Sequence, residues 1–138
     1  MDSFAHIMQT DGNNSLSALK RVCLTAMAVC LVIEGAILLI SGFPFPGLPT
    51  TLYVTGTVWL ILVIATVFAV QRPLFPVVVG LAMFTVETAA IQNNQAGKAH
   101  SIGQFLYQHS IELVYLIFSV SLLLIVRHGA VHRRRETN

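Results

Sequence analysis

Charge is what this sequence has least of. Asp, Glu, Lys and Arg make up 10% of its 138 residues, while apolar residues make up 55%; an ordinary soluble domain is roughly a quarter charged. So little polar material cannot cover the surface of a globule, and the solvent such a chain needs is lipid. The few basic residues form no groove-sized face and have no interleaved aromatics, which excludes nucleic acid as a partner. Cysteine is scarce too, limited to Cys23 and Cys30. Seven residues of helix hold their Cα atoms ~10 Å apart, beyond disulfide reach. Without a C-x-x-C pair there is neither a thiol-redox motif nor a zinc ribbon. Met27 lies between the two on one helix face, where packing explains all three sulfur residues better than a soft metal does. Tryptophan occurs once, as Trp59. It falls in mid-span and is expected to pack against a neighbouring helix instead of joining an interfacial belt. No internal repeat is visible.

What the chain does have is long apolar runs. Four are near the ~20 residues that a hydrocarbon core demands, at about 22–41, 51–70, 74–92 and 105–126. They predict an all-α polytopic membrane protein, an antiparallel four-helix bundle with lipid as its first partner. Residues 1–17 read as a polar cytoplasmic tail with the turn-prone run Asp11-Gly12-Asn13-Asn14-Ser15. Residues 18–127 form the transmembrane domain, and 128–138 a basic cytoplasmic tail. The first run is not a secretory signal. Its basic pair Lys20-Arg21 comes late, the run is long, and it ends in Ser-Gly-Phe-Pro-Phe-Pro with no A-x-A-like site. Three prolines and two glycines between 42 and 49 stop the first helix. Gln71-Arg72-Pro73 is a tight turn, making helices two and three neighbours.

Orientation follows from the basic residues. Lys20, Arg21, Arg72, Arg127, Arg133, Arg134 and Arg135 fall on one side, and Lys98 alone on the other. The positive-inside rule then puts both termini in the cytoplasm and the protein in the cell (inner or plasma) membrane. His128, His132 and the terminal arginines serve as a topology anchor at the headgroups.

Against this background Glu34, Glu87 and Glu112 stand out, each set inside an apolar run. Counted from the helix ends, all three lie ~9–11 Å below the outer surface of the spans. An acidic group mid-membrane costs on the order of 2–3 kcal/mol on insertion scales. No Lys or Arg lies inside any span to answer them, so the options are a proton, His109, a bound cation, or a base from another chain. Gln108, His109, Glu112, Tyr115 and Ser119 follow a three-or-four spacing and form one polar stripe. Asn94 lies seven residues after Glu87, on the same face.

The expected site is therefore an acidic pocket of Glu34, Glu87 and Glu112, with His109 and Tyr115, binding and transporting a proton or a cationic ligand. The bland alternative is that the acids snorkel to headgroups or hydrogen-bond across helices merely to hold them together. His109 and Glu112 form H-x-x-E on one face, the reverse order of the E-x-x-H found in carboxylate-bridged metal bundles. A metal ion at His109 and Glu112 is chemically possible, and no cofactor is predicted. His6, His100, His128 and His132 fall outside the spans, which leaves no second axial ligand for haem. No Ser-His-acid or Cys-His arrangement indicates an enzyme.

Four short spans with a glutamate in the first resemble the small multidrug-resistance transporters. The likeness covers the architecture and Glu34. Those proteins rely on one membrane carboxylate per chain where this one has three, so no residue is carried over. Four spans seldom enclose a full pathway, and a homo-oligomer or other membrane subunits are expected partners. The alternative function is an accessory or scaffold subunit whose carboxyls pair with a partner chain.

Overall fold

The computed structural model describes residues 2–94 and 101–136. They are helical, with no strand among them: α1 (Asp2–Ile40), α2 (Thr50–Val67), α3 (Leu74–Asn94), α4 (Ile102–Gln108) and α5 (Ser110–Glu136). Four stretches are long and apolar enough to cross a membrane: Asn14–Ile40, Thr50–Val67, Leu74–Asn93 and Ser110–Arg135. This is the pattern of a multi-pass membrane protein. The side chains confirm it by what they leave outside. Val32, Ile40, Val67 and Leu124 are each more than 60% exposed, a poor arrangement in water and an ordinary one against acyl chains.

The ends of the helices have local causes. α1 closes on Gly42, whose φ of +100° a side chain would oppose. Gly42 N–H donates to Leu39 O and Phe43 N–H to Leu38 O, both at 3.1 Å, the paired bonds of a Schellman stop. Phe43 then folds onto Gly56 of α2, where a Cβ would overlap its ring. Its edge meets Tyr53 at 6.3 Å between centroids, and the Tyr53 hydroxyl donates to Phe45 O. α2 stops at Val67, short of the expected residue 70. Arg72 precedes a proline and is disfavoured in a helix, and the chain turns through Phe68–Arg72 with Arg72 N–H donating to Phe68 O at 2.8 Å.

Two stretches have helix bounds that differ from the expected runs. The segment read as a polar tail is helical backbone continuous with α1 from Asp2 onward. A formed span is already a nucleus, and each further residue adds a hydrogen bond without a new nucleation cost. The fourth run is not one helix but two. Ser101 caps α4 by accepting from Gln104 N–H at 3.2 Å. α4 then ends at His109, with φ −103° and ψ 18°, and α5 starts at Ser110 and runs ten residues past the expected 126. His109 belongs to both ladders: its N–H donates to Phe105 O (3.1 Å) to close α4, and its O accepts from Leu113 N–H (3.0 Å) to open α5. No Gly or Pro stands at the break; the imidazole packs in a triangle of rings with Phe84 and Phe105.

Each long helix packs on two others: α1 on α2 and α5, α3 on α2 and α5. Cys23, Met27, Cys30 and Leu38 form one buried face of α1, together with Glu34. Both cysteines are free thiols, and with Met27 they are packing residues as expected. Trp59 also does what its position implied. Its Nε1–H donates to Leu31 O at 3.0 Å, and its ring lies against Gly35, where no larger residue would fit. Leu62 and Ala65 of α2, Val79 and Met83 of α3, and Leu122 of α5 complete the core.

Candidate functional site

The three glutamates converge. Glu34 comes from the last turns of α1, Glu87 from the second half of α3, and Glu112 from the first turn of α5. Glu34 and Glu112 line one small cavity, and a carboxylate oxygen of Glu87 lies within 4.8 Å of one of Glu112. Glu34 and Glu112 are buried, and Glu87 is half-buried. Placing Glu112 in the first turn sets it at the partly positive end of α5, which suits an acidic group. The bend at His109 creates that helix start.

His109 sits beside the acids, 1% exposed. Its ring centroid lies 5.0 Å from Phe84 and 4.7 Å from Phe105, so aromatic packing on two sides fixes the imidazole plane. Nε2 is 3.5 Å from Thr88 Oγ1. Thr88 gives its own proton to Phe84 O at 2.8 Å, which leaves Oγ1 able to accept from Nε2–H in the tautomer that carries the proton there. Two buried polar atoms have no hydrogen-bond partner: His109 Nδ1 and Glu112 Oε2.

Beside the acids is a small cavity of about 10 Å³, lined among others by Cys30, Glu34, Gly80, Met83, Glu112 and Tyr115. That is room for about one water-sized occupant. A second, wider cleft of about 230 Å³ lies between the end of α3 and α4, with Thr88, Gln92, Ser101, Gln108 and His109 among its walls. His109 lines the cleft while lying next to Glu87 and Glu112, so it is the side chain between the open space and the acids.

The rest of the expected stripe divides by role. His109, Glu112, Tyr115 and Ser119 are buried, whereas Gln108 is exposed and lines the cleft. Tyr115 contributes its ring to the cavity, but its hydroxyl is committed elsewhere. It meets Thr66 Oγ1 of α2 at 2.6 Å. Thr66 donates to Leu62 O at 2.8 Å, so the phenol is the donor and ties α5 to α2. Asn94, expected near Glu87, has its side chain outside the described residues, as does all of His100. Thr66, Thr88, Phe84 and Phe105 gave no signal in the sequence, being ordinary residues of apolar runs. Gly80 was silent too, although a Cβ there would come within 2.9 Å of Leu116. No protein-family model matches the chain, and neither does any curated protein or solved structure.

Proposed function

We propose that this chain is an antiparallel four-helix bundle of the cell membrane, with both termini cytoplasmic, whose acidic pocket binds and carries a proton or a small cation. The observation that carries the reading is that Glu112 shares one cavity with Glu34 and stands in one cluster with Glu87 and His109, within apolar runs (22–41, 74–92 and 105–126) that hold no Lys or Arg. Ionisable groups at such depth are expensive and are found where protons or ions are handled. Size narrows the ligand. The cavity beside Glu34 and Glu112 has space for about one water and is too small for a bulky organic cation. This departs from the drug substrates that the likeness to small multidrug-resistance transporters would suggest. The seven-to-one division of basic residues supports the orientation, and puts the acids and the wide cleft toward the outer face. Carboxyls that turn toward one another within a single chain are poorly placed to meet a partner's base, so the scaffold reading has no specific support.

The test is reconstitution. Glu34→Gln, Glu87→Gln and Glu112→Gln are prepared singly and placed in liposomes with an entrapped pH dye, and proton and alkali-cation gradients are applied. Movement present in the parent protein and lost in Glu112→Gln, the acid common to the cavity and the cluster, is the expected result. Parental movement in all three variants removes the reading.

A further inference from the structure

The pocket's donor set allows its cation to be named by class. We infer that Glu87, His109 and Glu112 form a binding site for a divalent transition-metal ion of the zinc, manganese, cobalt or ferrous type, reached through the cleft between α3 and α4. This rests on the cation reading of the same pocket and specifies the ion.

Four observations point there together. One ligand atom from each of the three residues lies within 4.8 Å of the other two. Ligands ~2.1 Å from a zinc-sized ion stand about 3.4 Å apart, so modest side-chain rotation closes the set. The two buried atoms left without a partner, His109 Nδ1 and Glu112 Oε2, are on residues of this set. Buried donors and acceptors are almost always satisfied, and one ion would satisfy both. The imidazole is also prepared for the task. Phe84 and Phe105 fix its plane, and Thr88 accepts from Nε2–H, as outer-shell partners do for metal-bound histidines. Finally, there is a route in, because His109 faces the wider cleft.

The donor types choose the ion. One imidazole with two carboxylates suits borderline divalent metals; Ca²⁺ and Mg²⁺ prefer all-oxygen shells of six or more, and Cu(I) prefers sulfur. Two ligating carboxylates match the charge of a divalent ion, so the occupied site is neutral in a medium that penalises net charge. Three protein ligands leave a coordination position for water, as at sites that exchange or act on a ligand and unlike closed structural sites. Glu34 lines the same cavity as Glu112 and is a positioning residue in this scheme. The cysteines take no part.

The experiment uses the full chain in detergent at neutral pH, stripped of metal and titrated with Co²⁺. One equivalent with visible d–d bands of a low-coordinate N/O site is expected. His109→Ala and Glu112→Gln should each abolish the bands, with Trp59 fluorescence confirming that the variants are folded. Glu34→Gln should keep the bands at an affinity reduced by about tenfold or more. His128→Ala/His132→Ala, which removes the neighbouring ring pair near the end of α5, should bind as the parent does. No Co²⁺ binding by the parent overturns the inference, as does binding that survives in both His109→Ala and Glu112→Gln, or that is lost with the His128/His132 pair. Glutamate-dependent proton flux without Co²⁺ binding would refute the metal site and leave the pocket reading intact. Co²⁺ binding without proton or alkali-cation movement would support the metal site and refute transport of those ions.

Discussion

Gly35→Ala puts a number on the contact between α1 and α2. A Cβ at Gly35 would stand 2.6 Å from Trp59 Cζ2 and 3.3 Å from Cε2 and Cη2. These atoms belong to a fused ring that cannot flex, so the indole must move as a body. It is tethered by its Nε1–H bond to Leu31 O, and moving it stretches that bond. Two effects oppose each other. Alanine improves helix propensity by about 1 kcal/mol over glycine. Overpacking costs about 1–3 kcal/mol, and loss of an interhelical bond in a membrane adds on the order of 0.6 kcal/mol. The balance is a destabilisation of between about 0.5 and 2.5 kcal/mol. Trp59 is the only tryptophan, so its emission during reversible unfolding in SDS reports on the contact itself. Gly129→Ala is the control, since nothing lies within 4 Å of a Cβ there; it should be neutral or gain up to about 1 kcal/mol. If Gly35→Ala unfolds at the parent's SDS fraction or above, with its emission maximum unshifted, the packing argument is wrong.

Three further outcomes are expected. Thr66→Val should destabilise by about 1 kcal/mol because it leaves the Tyr115 hydroxyl buried without a partner, while Tyr115→Phe should cost less because Thr66 keeps its bond to Leu62 O; the reverse order in SDS unfolding would show that the phenol bonds elsewhere. Cys23 and Cys30, both free and buried, should react slowly with maleimide in the folded protein and rapidly in SDS, and mild oxidation should not join them; a disulfide detected by mass spectrometry would contradict the helix geometry. Co²⁺ affinity should rise with pH and fall as pH is lowered, because carboxylates and imidazole must be free of protons to ligate; an affinity that does not change with pH would exclude these ligands.

The backbone break before Glu112 shows how the candidate site outgrew its sequence signal. A polar stripe on one uninterrupted helix would have carried Gln108 with His109 and Glu112. With α4 ending at His109, Gln108 is left exposed while His109 is buried against Phe84, Phe105 and Thr88 at the wall of the cleft. The residues that caused this are aromatic or weakly polar members of apolar runs. Nothing in composition or spacing separates them from residues that merely face lipid.

Four spans were legible from the chain alone because spanning is a local requirement: backbone groups in hydrocarbon must bond within their own helix, and about twenty apolar residues reach across. The matched depth of Glu34, Glu87 and Glu112 was legible for the same reason, since depth depends only on distance along a helix. Rotation about each helix axis is not local. It is decided by which surfaces fit, such as Gly35 under Trp59 and Gly80 under Leu116 and Tyr115. Only that fit turned three acids at one level into a single cluster with His109, because a side chain's direction is fixed by the neighbours it must clear.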